Sequence, residues 1–186
     1  GVQLGRGERI AMTLAVLPTS VEKFAIAFES LDDSNFPAWL IAARRLAWAN
    51  FSDLGIPIKR RGNELWKYTN LRPLAEADFE HGKIGLVSLD EIKSNGPWDD
   101  AWDTVVVVDG HFSSQLSSLH GTSGLTAGSL AEAIAGGTDD IESQFASLAG
   151  RESYAFTALN TAFAADGAYL GVSDDVQLEV PVHVVF

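Results

Sequence analysis

Between Tyr154 and Phe186 the hydrophobic period changes partway along, and that change constrains the fold more than any total does. Phe156, Leu159 and Phe163 recur at three- and four-residue spacing, with Ala155 and Ala162 on the same stripe, which predicts a helix. Asp166-Gly167 is expected to stop it, because glycine tolerates the left-handed conformation that closes a helix. From Val176 the residues Val176, Leu178, Val180, Val182, Val184 and Phe186 alternate with Gln177, Glu179, Pro181, His183 and Val185. That alternation predicts extended chain with one buried and one wetter face, and it is still running at the last residue. Orphaned ladder groups on such a strand are costly. Its partner strands are therefore expected on another chain or in further sequence, the second being preferred, so the chain reads as the forepart of a larger subunit.

Three blocks, in order, resemble the SufB/SufD family of iron–sulfur assembly proteins over roughly two-thirds of the chain. The first is Glu64-Leu65-Trp66-Lys67-Tyr68-Thr69-Asn70-Leu71, shortly after Pro57. The second is Val105–Val108 followed by Asp109-Gly110-His111-Phe112-Ser113. The third runs from Phe156 through Leu159, Asn160 and Phe163 to Asp166-Gly167-Ala168, then Glu179-Val180-Pro181-Val182-His183. Residues Gly1–Ala11 have no counterpart in that pattern. The resemblance implies an α+β fold, a helical N-terminal region with a small sheet leading into the first coils of a right-handed parallel β-helix. Residues 1–19 would be a loose leader, 20–150 an α+β domain, and 151–186 a helix and the start of the β-helix. It also implies a non-enzymatic cytoplasmic scaffold, SufD-like, working with SufB and the ATPase SufC. The cluster would be a product of that complex rather than a cofactor of this chain. The family's SufC-binding segment would lie beyond Phe186.

Composition narrows the chemistry. There is no cysteine, so these residues supply no disulfide, thiolate ligand or cysteine nucleophile. No apolar run approaches the roughly 18 residues that span a bilayer. Arg6 and Arg9 precede the mostly apolar Ile10–Pro18, but Glu8 intrudes and no small-x-small cleavage site follows. An upstream extension before Met12 is the preferred reading. Net charge is −12, yet Arg44–Arg72 holds seven basic residues (Arg44, Arg45, Lys59, Arg60, Arg61, Lys67, Arg72) against Asp53 and Glu64. The local +5 leaves −17 on the rest, which argues against nucleic acid. The basic stretch either docks an acidic partner or pairs with the chain's own carboxylates, the latter preferred.

Along the chain, Val21–Leu31 is expected to form a helix on Phe24, Ala25 and Phe28, capped by Thr19 or Ser20. After Asp32–Asn35 and Pro37 a longer helix should bury Phe36, Leu40, Ala43, Ala47 and Phe51, broadened by Trp39 and Leu46, with Arg44, Arg45 and Asn50 facing away. Gly55 and Pro57 end it, and the two helices form a hairpin. Trp66 and Tyr68 either clamp their segment against the helices, the preferred reading, or present an aromatic docking anchor. Leu74–Phe79 and Leu86–Ile92 are short ambiguous elements around His81-Gly82. Thr104–Val108 is a buried strand closed by Asp109-Gly110, and His111–Leu116 is its hairpin partner or coil. Leu125 opens a short strand, Ser129 caps a helix ended by Gly136-Gly137, and Asp139-Asp140 cap another through Leu148, before Gly150.

No catalytic, cofactor or metal residue is singled out. His81, His111, His120 and His183 are too scattered for a ligand pair, and His183 is expected to hydrogen-bond within a following coil. Asp99, Asp100, Asp103 and Asp109 lack the order of a calcium loop and read as caps and turns. Two alternatives stay open. One is a secreted β-helix enzyme acting on polysaccharides by cation-assisted elimination near Trp102. The other is an oligomerisation module whose exposed strand edge pairs with a second copy.

Overall fold

The computed structural model describes residues 19–58, 64–79, 85–138, 140–148 and 154–186. The leader before Thr19, Lys59-Arg60-Arg61, His81-Gly82, Asp139 and Gly150 lie outside the described residues. So do the side chains of Thr19 and Ser20, and with them the expected cap. The chain forms two compact units, Gly1–His81 with Asp140–Ala164, and Gly82–Asp139 with Ala165–Phe186.

The first unit is helical. Helices α1 (Thr19–Glu29) and α2 (Ala38–Leu54) arise from the stripes expected of them, and Gly55 closes α2 at φ 62°, donating its N–H to the Phe51 carbonyl at 2.7 Å. A 3₁₀ turn (Glu64–Trp66) and α3 (Arg72–Glu76) follow, then α6 (Ile141–Gln144) and α7 (Ala155–Ala162) return from later in the sequence. The main packing partner of α2 is α7 rather than its sequence neighbour α1. Ala47, Ala158 and Ala162 are fully buried, and such small side chains let helices approach closely. Around them Phe24 meets Phe51 edge-on at 5.4 Å, and Phe28 stacks on Trp48 at 4.7 Å. Lys23 ties α1 to the end of α3, its ammonium donating to the Glu76 carbonyl at 2.5 Å and pairing with Asp78 at 2.7 Å.

Three expectations for α2 are corrected. Asn50, expected to face away, is half-buried, with its Nδ2 enclosed and without a hydrogen-bond partner among the described residues. Leu46 is 49% exposed, and Trp48 takes the buried place. Arg44 does not face away: it is 2% exposed, among the largest fully buried side chains. Its Nε donates to the Ala162 carbonyl at 3.1 Å, its Nη1 to Asp33 at 3.2 Å, and its guanidinium lies 5.0 Å from the Phe36 ring centroid. The Ala162 carbonyl lies in the last turn of α7, where the helix has no further N–H to offer, so a buried cation finds an acceptor there.

The second unit holds α4 (Leu89–Asn95), β1 (Asp103–Val108), β2 (His111–Phe112), β3 (Leu125–Ser129), α5 (Leu130–Ala135), β4 (Ala168–Val172) and β5 (Val182–Val185). The valine run is the central strand of the sheet β2-β1-β5, so both of its edges are paired, and its successive residues are buried, which places both of its faces away from water. Asp109 and Gly110, at φ 48° and 85°, make the two-residue turn that returns β2 antiparallel to β1. Strands β3 and β4 form a separate antiparallel pair. Ser129 ends β3 and caps α5, its hydroxyl accepting from the Glu132 N–H at 3.0 Å. The helix expected through Leu148 stops at Gln144.

The final strand differs most from expectation. It is confined to Val182–Val185, and Val176–Pro181 is coil with a bend at Glu179-Val180. It is also not left without a partner in this chain: β5 runs parallel to β1, with Asp103 opposite Val182 and Val106 opposite Val185. Alternation alone cannot show that the neighbour lies far back in the sequence.

Candidate functional site

Among the described residues no group of three or more histidine, cysteine or acidic side chains converges to hold a metal. No helix among them is long and apolar enough to cross a membrane. Of the four aspartates near Trp102, Asp99 and Asp109 lie in turns as expected, whereas Asp100 binds side chains and Asp103 is a buried residue of β1. Asp99 accepts from the Ala101 N–H, and Asp100 from Lys93 at 2.7 Å and the Trp98 indole at 2.8 Å. Asp109 accepts from the Gly85 N–H at 2.8 Å. Asp103 is buried and accepts from the His120 N–H at 2.6 Å and from the Thr122 hydroxyl. Burial alone would raise its pKa, but those two bonds outweigh it and hold the carboxyl below its ordinary range.

The family-signature residues separate into three places. Trp66 meets Phe156 edge-on at 5.0 Å, so the clamp expected of it is present. Tyr68 does not share it: the residue is 93% exposed, with Leu65 at 75%. Lys67 N–H donates to the Glu64 carbonyl at 3.3 Å and Thr69 N–H to the Trp66 carbonyl at 3.0 Å, so the 3₁₀ turn passes into a second turn over these residues. Lys67 lies 5.6 Å from the Tyr68 ring centroid and 3.8 Å from Glu64. Leu159 is half-buried against the helical core, and Asn160 is exposed.

Asp166 and Gly167 do not stop α7, which ends at Ala162 with Phe163 as its cap. Asp166 instead gathers the second unit. Its carboxylate accepts from the Ser129 hydroxyl at 2.8 Å, the Ala131 N–H at 3.0 Å and the Phe112 N–H at 2.9 Å, joining β2 to the junction of β3 and α5. The Gly167 carbonyl adds a bond from the Leu130 N–H at 3.0 Å. Burial pushes the Asp166 pKa up, yet these donors together bring it below the ordinary value. No spacing rule finds this role, since its three donors come from two distant stretches of chain.

Pro181 is exposed and leads into β5, where His183 stands between two indoles, 5.5 Å from Trp102 and 6.1 Å from Trp98. His183 Nδ1 and the hydroxyl of Thr104, its register neighbour on β1, are both buried without a hydrogen-bond partner among the described residues. Beside β5 runs a groove of about 480 Å³, lined by Glu91, Ile92 and Asn95 of α4, by Gly96-Pro97, and by successive residues from His183 to Phe186. β1 occupies one edge of β5, and the other edge has no strand partner among the described residues.

A family model described as the SufBD protein N-terminal region matches residues 22–184. No curated protein matches the chain.

Proposed function

Because the chain belongs to the SufBD family through its N-terminal region, we propose that it is a non-enzymatic, SufD-type scaffold subunit in iron–sulfur cluster assembly, acting in the cytoplasm with a SufB-type subunit and a SufC-type ATPase. The observation that carries the structural half of this reading is the parallel pairing of β5 on β1, with the far edge of β5 lacking a strand partner among the described residues. Successive rungs of a parallel β-helix stack in this way, each strand offering its free edge to the next. In this reading β1 and β5 begin the solenoid, and the open edge receives a further parallel strand. The α4 side chains Glu91, Ile92 and Asn95 would flank that strand where it docks. The cluster is cargo built by the complex. With no cysteine, these residues offer it no thiolate.

The reading is tested by co-expressing the full-length protein with SufB-type and SufC-type partners. A stoichiometric complex whose cluster yield falls when this subunit is omitted is expected. Purification of the subunit alone, with cluster yield indifferent to its presence, would remove the proposal.

A further inference from the structure

In the second unit two strands built largely of valine lie side by side, Asp103–Val108 of β1 and Val182–Val185 of β5. The observed register sets Thr104 opposite His183, Val105 opposite Val184 and Val106 opposite Val185. Valine packs on valine about as well at one step as at the next, so apolar burial does not choose among registers that keep the same faces. A slip of one residue would exchange the faces, but a slip of two would not. In one direction a two-residue slip brings Pro181 opposite Thr104, and a residue without an N–H gives up a ladder bond there. In the other it brings Val185 opposite Thr104 and Phe186 opposite Val105, and apolar side chains still meet.

One polar rung opposes that second slip. Register neighbours on adjacent parallel strands lie about 5 Å apart with their side chains on the same face. Thr104 is fully buried, and its N–H and carbonyl are bonded to Ser118 at 2.7 and 2.9 Å. Its hydroxyl is left enclosed without a hydrogen-bond partner among the described residues. His183 Nδ1 is in the same condition, with the Trp102 and Trp98 rings against the imidazole. We infer that the Thr104 hydroxyl and His183 Nδ1 pair with each other, directly or through one buried water, and that this pair fixes the register of β5 on β1. The chemistry matches, since a hydroxyl donates or accepts and a ring nitrogen does whichever its tautomer requires. A single water spans two such groups where adjacent rungs hold them beyond direct reach. The second slip moves His183 opposite Trp102 and sets Val185 against the hydroxyl, so both enclosed groups lose their partner at once. Setting registry is the best-attested use of a polar group placed inside an apolar interface.

Methyl NMR on the full-length protein with labelled valines tests this. The wild type should show one set of cross-strand contacts, from the Val105 methyls to Val184. Thr104→Val keeps the shape of the side chain and removes the hydroxyl. The preference that an unpaired buried group enforces, about 5- to 150-fold, should then be lost. A second set of contacts, Val105 to the Phe186 ring, should appear in about a tenth or more of the molecules. Thr104→Ser keeps the hydroxyl and should keep the single register. His183→Phe keeps an aromatic ring beside the indoles and should slip as Thr104→Val does, so either variant decides if the other does not fold. In chemical denaturation the double variant should lose about 5-fold less in its folding equilibrium than the product of the two single losses. A single native register in either of these variants, a second register in Thr104→Ser, or single losses that simply multiply would each overturn the pairing.

Discussion

Replacing Asp166 should loosen the second unit more than any other single change to a half-exposed side chain. In Asp166→Ala three donors lose their acceptor at once: the Ser129 hydroxyl and the Ala131 and Phe112 amides. Each hydrogen bond to a charged acceptor is worth about 1.5–3 kcal/mol, and partial access of water to this site argues for the lower end or less. A total near 3 kcal/mol follows, about a hundredfold in any opening equilibrium. Asp166→Asn keeps one acceptor oxygen but turns an amide donor toward one of the backbone N–H groups, and should lose roughly half as much. The assay is amide exchange at Phe112 and Ala131 by NMR, alongside urea unfolding, where the midpoint should fall by about 1–2 M.

Acid supplies the second arm. The Asp166 carboxyl has a folded pKa below its ordinary value of 3.8, so its contribution is complete above that value and disappears as pH falls through the folded pKa. The gap between wild type and Asp166→Ala should stay constant from neutral pH to about pH 5 and narrow below pH 3.8 by the part that depends on the carboxylate charge. Asp103, also held low, titrates in both proteins and drops out of the difference. An Asp166→Ala protein with wild-type exchange at both amides, or a gap that does not narrow in strong acid, would refute the reasoning.

Three further outcomes are expected. Arg44→Ala should lower stability by about 3–5 kcal/mol, read as a fall in thermal midpoint, because Asp33 and the Ala162 carbonyl are left facing a void; Arg44→Met, which keeps the apolar stem, should lose less. Gly124→Ala should cost about 1–3 kcal/mol, since Gly124 sits at φ 79° and a Cβ there would meet Val176 Cγ2 at 2.6 Å. Adding Val176→Ala should recover the steric part of that loss and leave the backbone part, as a double-mutant cycle by chemical denaturation would show. Asp100→Ala should release Lys93 and the Trp98 indole while leaving β1 intact, seen as a change in Trp98 emission without loss of far-ultraviolet signal.

Local chemistry was legible from the residues alone. The stripes of α1, α2 and α7, the Gly55 stop, the Asp109-Gly110 turn and the Ser129 cap each depend on groups within a turn or two of one another, and the chain order displays them directly. The Glu64–Thr69 signature was legible as a pattern, and so was the anchoring of Trp66. The exposure of Tyr68 was not, because it depends on which side of a three-residue turn meets Phe156.

What only the tertiary structure decided is where distant partners lie. Arg44 is polar by type, so a pattern places it outside; it is inside because Asp33 and the end of α7 supply acceptors. Asp166-Gly167 has the look of a helix stop, but the carboxylate serves amides from two other stretches. The closing valines specify a strand and one buried face, yet their neighbour is the valine strand at Asp103–Val108, reached only after the chain has passed through the helical unit and come back. Side-chain alternation encodes which face is apolar. The edge hydrogen bonds carry no side-chain signature, so pairing is settled by the path of the chain in space.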